Sequence, residues 1–269
     1  MILSNLHTHT KYCDGKNTPE EIVLCAISSG FSSVGFSGHG YTPFDNSYCM
    51  SQENTQKYLD EIKALKEKYK DSIEIYAGLE ADLYSEFHKE NFEYIIGSCH
   101  YIKSGNTFLP IDNSEETTKK FVTEYFSGDY LKYAEVYFET VSKLPSLKPD
   151  IIGHFDLVTK YNEGFRYFDE TDKKYIDLAY TALDTIVSEC NLFELNTGAV
   201  ARGHKSSPYP AFPLLKRLKE KGARIIINSD CHNKAYLNYY YNESAEILKE
   251  AGFLSATVLH NGKFIEYSL

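Results

Sequence analysis

No apolar run in this chain of 269 residues approaches the roughly 20 residues of a membrane span, so no membrane partner is expected. The opening, Met1-Ile2-Leu3-Ser4-Asn5, lacks the charged region and apolar stretch of a secretory leader, and the start is expected to be structural and retained. The six cysteines, at 13, 25, 49, 99, 190 and 231, include no CxxC pair. That argues against a disulfide framework and favours a reducing cytoplasm. Positive charge is scarce: 28 Lys and Arg stand against 38 Asp and Glu, a net charge of −10. Nucleic acid is bound by clustered Lys and Arg, so a nucleic-acid partner is not expected. The balance suits divalent cations and a substrate that itself carries positive charge. There is no Pro/Gly/Ser linker, no repeat at a fixed period and no low-complexity tract, and residues 1–269 read as a single domain.

What is present is an alternation. Strand-like runs rich in Val, Ile, Phe and Tyr fall near residues 2–6, 33–38, 73–79, 94–98, 150–153, 192–196 and 224–229. They are almost continuously apolar, as expected of strands covered by helices on one face and packed side chains on the other. Between the first two lies Thr18-Pro19-Glu20-Glu21, a capping box with proline at the first helical position, followed by the apolar face of Ile22, Val23, Ala26 and Ile27. Further helices are expected over 51–70, over 115–142 with a break at Gly128, over 170–189, from Pro213 to Lys221 and from Glu243 to Ala251. Residues 257–265 read as a hairpin on the turn Asn261-Gly262. Seven β–helix units in one chain predict an α/β fold, a single barrel of parallel strands. Long loops after the strands, near 40–56, 101–114, 155–169 and 197–212, would form the pocket.

The strand ends carry the chemistry. His7 and His9 stand two apart, so on a strand they share one face. His39, Glu80, His100, His154, Asp230 and His232 close later runs, and Asp14 sits in the loop after the first. The sixth run, Leu192-Phe193-Glu194-Leu195-Asn196, shows no obvious ligand at its tip. Six of nine histidines at strand tips call for an ionic reason, because buried imidazoles without partners are costly. Nine ligands exceed what one ion takes, so two or three divalent ions are expected, with Glu80 the natural bridge.

These motifs together resemble the polymerase and histidinol phosphatase (PHP) superfamily of metal-dependent phosphoesterases. The matching residues are His7-Thr8-His9, Asp14-Gly15, Gly38-His39-Gly40, Gly78-Leu79-Glu80-Ala81-Asp82, Ser98-Cys99-His100, Gly153-His154-Phe155-Asp156 and Ser229-Asp230-Cys231-His232. Asp14 stands where some members carry histidine. The resemblance implies a distorted (β/α)7 TIM-like barrel with three metals. His7, His9, Glu80 and Asp230 would hold the first, Glu80, His100 and His154 the second, and Asp14, His39 and His232 the third. Zinc, manganese, iron and magnesium all suit such mixed ligands, so the metal's identity stays open. The stand-alone length resembles the histidinol-phosphate phosphatase branch. That implies hydrolysis of L-histidinol phosphate to L-histidinol and phosphate in histidine biosynthesis, by a metal-bridged hydroxide attacking phosphorus. Another small phosphomonoester is the alternative substrate.

Glu80, Asp230 and His232 are the candidate catalytic groups. The proton for the leaving alcohol could come from Asp230, His232, His39 or a metal-bound water. Phosphate needs cations, and the chain has only four arginines. Arg217 lies in a helix and Arg224 opens a strand at the opposite end, which leaves Arg166 and Arg202 as candidate substrate-binding residues, with His204 and Lys205 behind them. Tyr41, Phe44, Tyr48, Tyr101, Phe165 and Tyr167 lie in the pocket-side loops and suit a substrate bearing an imidazole and an ammonium. A nuclease is disfavoured by the net charge, a metal-storage protein by the loop arginines, and an amidohydrolase by the lack of a strand-end lysine.

Overall fold

The computed structural model describes residues 3–269; residue 2, where the first run is expected to begin, lies outside the described residues. The elements follow in the order β1 (Ser4–Asn5), α1 (Pro19–Ser28), β2 (Ser33–Phe36), α2 (Gln52–Lys68), β3 (Glu74–Asp82), β4 (Tyr94–Ser98), β5 (Tyr101–Ser104), β6 (Thr107–Pro110), α3 (Glu115–Phe126) and α4 (Tyr130–Val141). Then come β7 (Ile151–Ile152), α5 (Lys173–Val187), β8 (Leu192–Asn196), α6 (Gly198–Ala201), α7 (Phe212–Glu220), β9 (Arg224–Asn228), α8 (Tyr241–Glu250), β10 (Ser255–His260) and β11 (Lys263–Ser268). No helix among the described residues is long and apolar enough to cross a membrane.

Seven strands pair in parallel in the order β1-β2-β3-β4-β7-β8-β9, and β10 joins β9 in parallel as an eighth. The sheet curls until β1 and β9 meet. Thr8 and Cys231 form a parallel bridge just beyond β1 and β9, with the His9 N–H donating to the Cys231 carbonyl and the Cys231 N–H to the His7 carbonyl, both at 2.9 Å. At the opposite end the hairpin β10–β11 continues the sheet. Thr257 pairs with Ile226, and the Ser33 hydroxyl donates to the Leu259 carbonyl. The Asn261-Gly262 turn has both residues at positive φ, 49° and 69°, the backbone that a tight hairpin requires. This is the expected seven-stranded TIM-like barrel, distorted where the hairpin enters.

Helix starts follow local chemistry. Thr18 and Glu21 complete the capping box of α1, and Ser51, Ser114, Asp129 and Asp172 cap α2, α3, α4 and α5. The long segment over 115–142 is two helices parted at Gly128. The loop expected over 101–114 instead opens with the β5–β6 hairpin, and the loop over 197–212 begins with the short α6.

Two apolar layers result. One lies between sheet and helices, and the other fills the barrel with Leu6, Tyr76, Tyr94, Ile96, Ile151, Leu192, Ile226 and Leu259. Register decides who points inward. Tyr94 sits opposite Gly78 and Ile96 opposite Glu80, so the side chains of 78, 80, 94 and 96 share the inner face. Each such fully buried apolar side chain contributes about 1.5–3 kcal/mol. This plug closes the barrel below Glu80 and separates the buried ionisable cluster at the carboxyl ends of the strands from the opposite end.

Candidate metal centre

Glu80 is the hub. It is buried, and five imidazole nitrogens surround its carboxylate. His7 Nε2 and His39 Nδ1 lie 3.1 and 3.0 Å from Oε2, and His154 Nε2 and His100 Nε2 lie 2.9 and 3.3 Å from Oε1. His9 Nε2 stands 3.4 Å from Glu80 Oε2 and 3.3 Å from Asp230 Oδ1. On the outer side, Asp14 lies 3.2 Å from His232 Nε2 and 3.6 Å from His39 Nε2. All nine residues marked as ligands in the sequence therefore converge.

Four overlapping sets have ligand atoms within 4.8 Å of one another: His9, Asp14, His39 and His232; His7, His9 and Asp230; His7, Glu80 and His154; and His39, Glu80 and His100. His7, His9 and His39 thus each stand between two sets, where the resemblance gave each a single ion. Gly15 supports the tightest approach. A Cβ there would lie 2.4 Å from the His9 carbonyl carbon, so only glycine lets the Asp14 loop fold beneath His9. Asp230 adopts a left-handed backbone, φ 48°, at the point where the chain turns out of β9.

The donor set fits cations and little else. His7 Nε2, His9 Nε2 and Glu80 Oε2 are buried and have no hydrogen-bond partner, though they face one another. Lone pairs aimed together in a dry site repel unless positive charge lies between them. Protons can supply it. Burial alone would lower His7, His100 and His232, but neighbouring carboxylates outweigh it. Glu194, Glu80 and Asp230 hold His7 well above its usual value, Glu80 lifts His100 to about 9, and Asp14 and Asp230 lift His232 to about 9. His9 goes the other way, to about 3, through burial and the adjacent His232 and His39. Burial likewise opposes ionisation of Glu80 and Asp230. Yet His7 beside the one and Arg202 and His7 beside the other keep both carboxyls well below their ordinary range.

A pocket of about 290 Å³ opens over these ligands, walled by Asp45, Tyr48, Tyr101, Asp112, Lys160 and Arg202. A larger cavity of about 630 Å³ lies against α4 and α5, away from every ligand; chemistry, not size, marks the site. Arg202 follows α6 and reaches in. Its Nη2 lies 2.9 Å from Asp230 Oδ2, and its Nη1 donates to the Asp230 carbonyl at 3.1 Å. Arg166 is not brought in. Its side chain is 60% exposed and pairs with Glu115 at 2.7 Å, because the backbone turns outward through Gly164 and Phe165, both at positive φ. The pocket's other cation is Lys160, which the sequence did not single out; its Nζ donates to the Asp112 carbonyl at 3.0 Å. Lys205 is buried behind the site on Thr159 and Glu170, and His204 sits beside Tyr161. Of the six loop aromatics only Tyr48 and Tyr101 line the pocket, and Phe165 is exposed.

Glu194 was also missed. It lies midway along β8, fully buried, and accepts hydrogen bonds from His7 and from the backbone of His154. The available signal was a carboxylate inside an otherwise apolar run, which must find partners. Asp82 plays a similar part, accepting from the His100 N–H at 2.7 Å.

The PHP domain family model matches residues 5–198. The Bacillus subtilis protein named histidinol-phosphatase is 26% identical over 264 residues, covering 89% of this chain and 97% of that protein. The Deinococcus radiodurans protein named probable histidinol-phosphatase is 28% identical, with 96% and 97% covered. Among solved structures, Lactococcus lactis histidinol phosphate phosphatase, complexed with zinc, L-histidinol and phosphate, superposes with a TM-score of 0.72 at 21% identity, covering 97% of this chain and 98% of that one.

Proposed function

The chain belongs to the PHP domain family, and we propose that it is a metal-dependent phosphomonoesterase that hydrolyses L-histidinol phosphate to L-histidinol and phosphate, a step of histidine synthesis. The observation that carries this is the Glu80-centred ligand cluster lying under a pocket whose wall holds Arg202 and Lys160. Curated relatives bearing the histidinol-phosphatase name along nearly their whole length support it. His7, His9, Glu80 and Asp230 would hold one ion, Glu80, His100 and His154 a second, and Asp14, His39 and His232 a third. Divalent metals in such a site supply an activated water and Lewis-acid stabilisation of phosphoryl oxygens.

The chain's own residues do the rest. Arg202 offers its guanidinium fork to the non-bridging oxygens, held in place by Asp230. Lys160, anchored on Asp112, adds a second positive charge to the pocket wall. Asp230, kept ionised by Arg202 and His7, and His232 lie 3.3 Å apart beside Arg202 and hold that guanidinium over the ligand cluster. Asp45 and Asp112, with the rings of Tyr48 and Tyr101, give the pocket mouth the acidic and aromatic character that an imidazole and an ammonium require. The Tyr101 hydroxyl donates to Asp45 at 2.7 Å and fixes that wall. Six free thiols accord with a reducing cytoplasm.

The test is a substrate panel on the zinc- or manganese-loaded protein: histidinol phosphate, an aryl phosphate, a phosphodiester and an amide. Histidinol phosphate should be turned over fastest. Equal rates on the aryl phosphate would reduce the reading to a general phosphomonoesterase, and no phosphatase activity with any metal would remove it.

A further inference from the structure

One buried carboxylate outside the ligand set touches three of the strands that carry it. Glu194 has a fully buried side chain. Its Oε2 lies 2.9 Å from His7 Nδ1 and 3.0 Å from Asn228 Nδ2. Its Oε1 accepts from the His154 N–H at 2.7 Å and from Asn196 Nδ2 at 2.7 Å.

The orientation of both amides is settled by their other ends. Asn228 Oδ1 accepts from the Leu6 N–H at 2.9 Å, and Asn196 Oδ1 from the Gly198 N–H at 2.9 Å. A backbone N–H only donates, so each amide turns its NH2 toward Glu194. Three of the four groups around Glu194 are therefore obligate donors. The fourth, the His7 ring, must then donate as well, since a carboxylate that is surrounded by donors has no proton to give. His7 thus carries a proton on Nδ1, and its Nε2, the atom a metal would take, faces Glu80 and Asp230.

We propose that Glu194 is the positioning residue of the metal centre. It fixes His7 in the Nδ1–H tautomer with Nε2 free to ligate, and it ties the backbone of His154 to the same point. The inference rests on the reading of His7 as a ligand. Its physical core is that the position accepts four hydrogen bonds and donates none. An isosteric amide fails there. In Glu194→Gln an NH2 placed at Oε1 faces the His154 N–H and Asn196. Placed at Oε2, it faces Asn228 and drives the His7 proton onto Nε2, where it blocks the ligand. A carboxylate behind a metal-bound imidazole also raises that ring's basicity. Glu194 sits close to the His154 turn. A Cβ on Gly153 would lie 3.4 Å from its Oε1, in van der Waals contact.

The experiment is zinc binding to the chelator-treated full chain, followed by competition with a chromophoric chelator, for wild type and Glu194→Gln. Glu194→Gln should bind its tightest zinc about 10–100-fold more weakly, the range for loss of such a partner. Unchanged affinity in a folded variant would overturn the inference. Long-range 15N–1H NMR of the wild-type zinc-loaded protein reads the tautomer directly and does not depend on the variant folding: an Nδ1–H His7 supports the assignment and an Nε2–H His7 overturns it. Zinc binding by wild type without any phosphatase activity would fail the proposed substrate reading alone. Absence of zinc binding by wild type would end both.

Discussion

At the scale of single residues, the two loop arginines separate cleanly. Arg202 is fixed by Asp230 and faces the pocket, so Arg202→Ala should raise KM for a phosphomonoester tenfold or more, about 1.4 kcal/mol of binding. Arg166 pairs with Glu115 at the surface, and such exposed pairs contribute about 0–1 kcal/mol. Arg166→Ala should leave KM unchanged, and steady-state kinetics on both variants checks the pair. An Arg166 effect as large as that of Arg202 would refute the placement. The contrast shows what sequence reveals at this scale. His7, His9 and Asp230 were legible because a ligand's identity is its residue type and its place at a strand end. Arg166 lies in an equally suitable loop, but its direction is set by a backbone turn at Gly164 and Phe165 that no spacing records. Glu194 is the converse, a residue whose role lies wholly in contacts across the barrel to His7 and His154.

Among the elements, β3 and β4 show why strand glycines here are structural. A Cβ on Gly78 would lie 2.2 Å from the Tyr94 ring, and one on Gly35 2.3 Å from the Tyr94 hydroxyl. The ring thus lies flat on two bare strands, with its hydroxyl donating to the Leu6 and Phe36 carbonyls. Gly78→Ala must push that ring or split the strands, an overpacking that costs about 1–3 kcal/mol. Thermal melting should show the loss, and zinc affinity should fall with it because Glu80 is two residues away; a melting temperature equal to wild type would contradict the packing. Helices and strands were legible from periodicity and caps. The β5–β6 hairpin was not. It is short, with Lys103 exposed and Phe108 stacked on Phe44 instead of entering the barrel, so its residues carry no sustained alternation.

For the whole molecule, the metal centre couples to pH and to stability. In the metal-free protein His100 and His232 have pKa values near 9, so both are protonated at pH 7. His7 is raised well above its usual value too, ligation requires the lone pairs of all three, and adding zinc at pH 7 should therefore release about three protons, read with an indicator dye in weak buffer. No release would contradict the raised values. The sign for stability follows. Groups raised from 6.5 to about 9 stabilise the fold fully below pH 6.5 and lose that contribution as pH rises through 9. The melting temperature of the metal-free protein should fall across that window, while the zinc-loaded protein, whose ligands are already deprotonated, should change much less. A parallel fall in both would break the linkage.

The bridge between Thr8 and Cys231 bears on synthesis as well as on form. It brings together chain segments such as Leu6 and Asn228 that are 222 residues apart. His7 and His9 are made more than 200 residues before Asp230 and His232. A growing chain therefore exposes a partial ligand set, able to capture a metal loosely but not to enclose it. The full centre forms only after β9 and the turn that follows it are made, so tight metal uptake reports that β1 and β9 have met.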